Sequence, residues 1–125
     1  MIHTSYFGNL RNLPDYIIPI SICGKAPEWY KGLEYKKLAP KWWFFKMWKQ
    51  NHDWDIYVEN FKNNVLGNLH WNEVYDELYE LAESCGKEQY EICLICYEKP
   101  ADHCHRHLVS DWFNHHGIYC REWED

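Results

Sequence analysis

The stretch Glu91-Ile92-Cys93-Leu94-Ile95-Cys96-Tyr97-Glu98 decides the fold. Its apolar run, 92–96, is too short for a typical helix and does not alternate with polar residues. That pattern suits a strand buried on both faces, at the centre of a parallel sheet. A loop through Pro100 and Asp102 follows. His105, Leu108, Val109, Trp112 and Phe113 then recur at helical spacing, and Gly117 stops the run. Residues 118–123 predict a final strand.

Working back from this unit, Trp71, Val74, Tyr75, Leu78, Leu81, Ala82 and Cys85 form the clearest helical stripe, closed by Gly86. Before it, Trp54, Tyr57, Val58, Phe61 and Val65 predict another helix, with Asp53 as its cap and Gly67 at its end. Lys41 to Gln50 predict a third, dense in Trp42, Trp43, Phe44, Phe45, Met47 and Trp48, with Pro40 in its first turn. Residues 24–40 read as irregular. Tyr16 to Cys23 predict a strand that is an edge or carries a bulge, because Pro19 cannot donate to a ladder. Residues 1–7 predict the first strand, and Gly8 to Asp15 a connection. Strands alternating with helices predict one small α/β domain over residues 1–125, with a mostly parallel sheet and helices on both faces.

A length of 125 residues suits one domain. Aromatic residues make up 18%, with eight Trp and ten Tyr, more than a core this small can fully bury. Some are therefore expected to line a pocket or the surface. The net charge of −6 argues against a generic nucleic-acid binder. Charge is nonetheless segregated. Residues 25–49 hold seven lysines against two glutamates, and residues 72–91 hold seven acids against Lys87. These are either two solvated helix faces or, for the first, a basic rim for an anionic ligand.

Met1 to Tyr6 show neither a basic leader nor a long apolar segment, and no stretch reaches the about 20 apolar residues of a membrane span. The six cysteines fall below the about 8–10% of disulfide scaffolds, and several sit in apolar runs. They read as reduced thiols in a cytoplasmic protein.

The candidate chemistry lies where the central strand ends and the last helix begins. Ligands of open α/β sheets bind beyond the carboxyl ends of the strands, where Cys96, Glu98 and Cys104-His105-Arg106 fall. A helix N-terminus favours an anion. Arg106 in the first turn opposes the helix dipole, so it calls for a partner, either Glu98 or a bound anion. Cys104 is a nucleophile or a small buried residue. His105 is a base or a satisfied core histidine. Glu98 is an acid–base group or merely the neutraliser of Arg106.

Thr4-Ser5-Tyr6-Phe7, Ser21, Leu38-Ala39-Pro40, and Leu94-Ile95-Cys96-Tyr97-Glu98 followed by Cys104-His105-Arg106 resemble, in the same order, the domain-of-unknown-function family 488. The most specific element is the Cys-x-Glu then Cys-His-Arg signature. The resemblance implies an α/β fold and no particular activity. Its matching positions are Cys96, Glu98, Cys104, His105 and Arg106, with Ser5, Tyr6 and Ser21 as further ones.

Metal is the competing chemistry. Cys93, Cys96, Cys104, His103, His105 and His107 are six potential zinc ligands, but strand residues three apart face opposite ways, which separates Cys93 from Cys96. The sequence therefore predicts no cofactor, with zinc as the alternative. It predicts a small anionic ligand, a nucleotide or nucleoside derivative, at a site of Ser5, Tyr6, Ser21, Cys96, Glu98, Cys104, His105 and Arg106. Hydrolase or transferase chemistry through Glu98 and Cys104-His105 stands beside a non-catalytic role in sensing or sequestering that ligand.

Overall fold

The computed structural model describes residues 1–124. Five strands form one sheet: β1 (Ile2–Tyr6), β2 (Ile17–Ser21), β3 (Leu33–Glu34), β4 (Glu91–Cys96) and β5 (Cys120–Glu122). Their order is β3-β2-β4-β1-β5, and every pairing is parallel. The apolar run of β4 is wholly buried from Ile92 to Cys96, as its pattern predicts for the middle of such a sheet. On one side Ile92 pairs with Ile2, on the other with Ile18.

Four α-helices complete the fold: α1 (Trp42–Asn51), α2 (Trp54–Asn64), α3 (Trp71–Glu83) and α4 (His105–His115). Asp53 caps α2, its Oδ1 accepting from the Ile56 amide at 3.2 Å. The end of α4 is a Schellman turn. Gly117 adopts φ +83°, its amide donates to the Asn114 carbonyl, and the Ile118 amide reaches back to Phe113. Helical structure covers both faces of the sheet. Arg106 of α4 meets Glu122, which also accepts from Thr4, on one face. A 3-10 helix over Phe7–Asn12 lies on the other, where Asn9 donates to Ser5 Oγ.

Three local expectations change. Residues 24–40 are not wholly irregular, since they contain β3 and a 3-10 turn at Lys36–Leu38. Pro40 precedes the capping residue Lys41 and so stands just outside α1 rather than in its first turn. β2 is not an outermost strand. However, β3 pairs only with Ile20 and Ser21, so Pro19 has a strand partner on one side alone. That is how a residue without an N–H is accommodated here. Its carbonyl accepts from the Tyr30 hydroxyl at 3.4 Å.

Candidate functional site

A cleft of about 720 Å³ opens at the carboxyl edge of the sheet, a size typical of small-ligand sites. The exit of β2 supplies Cys23, Gly24 and Lys25. The exit of β4 supplies Tyr97 and Glu98, and the approach to α4 supplies His103, Cys104 and His105. The facing wall comes from α1 and α2 and is strongly aromatic, with Trp42, Phe45, Trp48, Trp54 and Tyr57 beside Lys49. Trp54 stacks on Tyr57 at 4.7 Å and on His103 at 4.5 Å, and Trp42 stacks on Phe45 at 6.3 Å.

At the base of the cleft the strand exit and the helix start bring three donors together. Cys104 sits at the N-cap of α4 in extended conformation, and no side chain caps that helix. His105 follows it in sequence, and its ring reaches under the sheet edge, where Nε2 lies 2.7 Å from the Ile22 carbonyl. A carbonyl only accepts, so Nε2 carries a proton and donates. Cys96 Sγ lies alongside the ring, 3.5 Å from Nε2 and 3.8 Å from Nδ1, and Cys104 Sγ lies 4.0 Å from Nδ1, the ring atom not bonded to the carbonyl. Cys96 closes the floor from the last position of β4 and is fully buried. Cys23 lies beside the group, its thiol directed at the Ile95 carbonyl at 3.8 Å.

The electrostatics follow from this packing. Burial works to raise the Cys104 thiol. The hydrogen bonds from Cys96 and His105, with the positive charge of His105 and Arg106, outweigh it and hold Cys104 well below an ordinary thiol. Burial likewise works to lower His105, but its bond to Cys104, that thiolate's charge and the Ile22 carbonyl raise it. Cys96, fully desolvated, is pushed up and keeps its proton. Glu98 is raised by burial first and by the neighbouring Cys104 second. One cleft thus holds a thiol whose surroundings favour its anion, an imidazole whose surroundings favour its cation, and a carboxyl whose surroundings favour its acid form.

Of the residues singled out from sequence, Glu98, Cys104 and His105 line the cleft and Cys96 lies directly beneath. Arg106 is close behind but does not line it. It is fully buried, its Nε and Nη2 donate to the two carboxylate oxygens of Glu122 at 3.0 and 2.9 Å, and its Nη1 donates to the Glu98 carbonyl at 2.6 Å. The partner its position called for is therefore Glu122, with Glu98 contributing its backbone. Tyr6 places its ring 6.0 Å from that guanidinium. Ser5 accepts from Asn9 on the far face of the sheet, and Ser21 Oγ accepts from the Cys23 amide at 3.3 Å. Neither lines the cleft. Among the other potential metal ligands, Cys93 pairs in register with His3 and Pro19 and, by alternation along β4, faces away from Cys96, while His103 stacks on Trp54.

The aromatic wall, Lys25 and Lys49, Cys23 and the Glu122 partner were not assigned from sequence. For the wall and the lysines a signal exists, in the Trp-rich run at 42–48 and the basic bias of 25–49.

Among the described residues no helix is long and apolar enough to cross a membrane, and all six cysteines are free. No curated protein and no solved structure is significantly similar to the chain. The family model described as the active DUF488-N3 subclade matches residues 10–117, which span β2, β4, all four α-helices and the whole cleft. With most of its length matched, and with the Cys96-x-Glu98 and Cys104-His105-Arg106 signature inside the match, the chain belongs to the DUF488 family.

Proposed function

We propose that the cleft binds a small anionic ligand with a planar ring, a nucleotide or nucleoside derivative, and that the protein is a hydrolase or transferase acting on it through Cys104. The observation that carries this reading is the joint placement of Cys104, His105 and Glu98 at the base of an aromatic-walled cleft that also holds Lys25 and Lys49. An aromatic wall offers stacking surface to a flat ring, and the two lysines offer charge to a phosphate or carboxylate. Cys104 Sγ attacks an electrophilic carbon of the ligand. Glu98, as the acid, gives its proton to the departing group, and the carboxylate so formed takes a proton from the water or acceptor that then releases the sulfur. His105, pinned through Nε2, holds the thiolate by charge.

In this reading Arg106 acts behind the site, fixing the main chain of Glu98, while Ser5, Tyr6 and Ser21 hold the strand ends that carry the cleft. The description of the matched subclade as active is a statement about that subclade, and it agrees with the catalytic reading. Incubating the purified protein with a panel of nucleosides, nucleotides and nucleotide sugars, with product analysis and a thermal-shift readout, tests it. Turnover abolished in both Cys104→Ser and Glu98→Gln is expected. Thermal stabilisation by a nucleotide with no turnover would replace the catalytic reading by a sensing or sequestering one.

A further inference from the structure

We propose that Cys96 Sγ, Cys104 Sγ and His105 Nδ1 form a three-ligand site for a thiophilic divalent cation, zinc foremost, with its remaining coordination position on the cleft side. These donors lie within 4.8 Å of one another. A tetrahedral zinc with bonds of about 2.3 Å to sulfur and about 2.0–2.1 Å to nitrogen requires nitrogen–sulfur edges of about 3.6 Å and a sulfur–sulfur edge of about 3.8 Å. The observed nitrogen–sulfur edges are 3.8 and 4.0 Å. Binding requires the two cysteine side chains to turn toward Nδ1, because Cys96 Sγ stands nearer Nε2, at 3.5 Å, and the sulfurs, within 4.8 Å of each other, must draw together.

The surroundings match the donor set. Metal-bound histidines give their second ring N–H to a carbonyl or carboxylate, which fixes the tautomer, and His105 Nε2 stands 2.7 Å from the Ile22 carbonyl. Two sulfurs and one imidazole suit zinc and other soft ions and disfavour magnesium and calcium, which require oxygen ligands. Cys104 and His105 line the cleft while Cys96 is buried beneath, so the protein closes three positions and leaves the fourth toward the ligand space. Such an open position distinguishes this arrangement from a four-ligand structural zinc.

Metal binding at the trio stands on its own geometry. Its consequence for activity rests on the reading of Cys104 as nucleophile: a bound ion takes the sulfur lone pair that would attack, so occupancy silences the thiol.

The test uses the full chain, freed of metal by chelator and reductant, titrated with cobalt(II) and then competed with zinc. Expected are thiolate-to-cobalt charge-transfer bands and tetrahedral visible bands that saturate at one equivalent and are displaced by zinc. The bands are lost in Cys96→Ser and, separately, in Cys104→Ser, and kept in Cys85→Ser. Zinc affinity falls by more than about 100-fold in Cys96→Ser, a larger loss than second-shell changes produce. In the wild type, zinc slows iodoacetamide labelling of Cys104 at least tenfold. Absence of tetrahedral cobalt bands in the folded wild type overturns the site, as does a band that survives undiminished in Cys96→Ser. Failure of Cys104 to alkylate in the metal-free wild type overturns the nucleophile reading instead and leaves the cobalt result to decide the metal site.

Discussion

Arg106 and Glu122 form a two-pronged ion pair that ties the first turn of α4 to the last strand of the sheet. The guanidinium is fully buried, and about a fifth of the Glu122 side chain remains exposed. Removing one partner of a buried pair leaves the other uncompensated, which costs about 3–5 kcal/mol. Arg106→Ala is expected near the lower end, about 3 kcal/mol, because water can reach Glu122. Arg106→Lys keeps the charge and loses the fork, and should fall between that variant and wild type. Urea midpoints with an unchanged m value check this. A midpoint for Arg106→Ala equal to wild type would show the pair to be incidental.

Thiol labelling should sort the cysteines by environment. Cys93 and Cys120 are both buried, and burial raises both, Cys120 to about 11. Neither should react with iodoacetamide in the native protein at neutral pH. Cys85 is exposed, and Cys23 and Cys104 line the cleft. Peptide mass spectrometry should find the modification at these three. Labelling of Cys93 before Cys104 would contradict the arrangement of the site.

Glu98 should lower stability where it is ionised. Its folded-state pKa is raised, mainly by burial, so its contribution is most favourable below the ordinary carboxyl range and is lost as pH rises through the folded value. Glu98→Gln removes that penalty. The variant should unfold at higher urea concentration than wild type at neutral pH, and the two should converge below about pH 4, the unfolded carboxyl value. An equal difference at both pH values would mean that the carboxyl does not titrate in this way.

Trp42 should matter to binding and little to folding. It lines the cleft yet is 72% exposed. Trp42→Ala is expected to change stability by about 0.5 kcal/mol or less. It should weaken a stacked nucleotide by about 1 kcal/mol, roughly fivefold. Isothermal titration with whichever nucleotide stabilises the wild type measures it, and unchanged affinity would place the ring elsewhere.

What could be read before the fold was known was local. The apolar run of β4, the stripe of α4, Asp53 at the start of α2 and Gly117 at the end of α4 each act within a turn or two of chain, so spacing alone exposes them. That Glu98, Cys104 and His105 lie close together is legible for the same reason, since one strand exit and one helix start bring them into one cleft. The partner of Arg106 was not, because Glu122 lies on a short strand at the other end of α4 and a long-range ion pair leaves no local pattern. Ser5 shows a different limit. Its neighbour Thr4 faces Glu122 and Ser5 faces Asn9, so the side a residue takes depends on a register that the sequence alone does not state. The aromatic wall was visible as composition, but its assignment to the cleft required the docking of α1 and α2.

The position of β4 constrains how the chain can assemble. β1 and β2 precede β4 in the chain, yet they never pair with each other. Ile2 and Ile18 both wait for Ile92. Until that segment emerges, the N-terminal strands have no partner that could hold them side by side, and closing the sheet means joining ends separated by most of the chain. Folding is therefore expected to be slow for a protein of this size, dominated by sequence-distant contacts and completed in one late step. A nascent chain stopped at residue 90 would expose the unpaired edges of β1 and β2, a state prone to aggregation and to capture by chaperones.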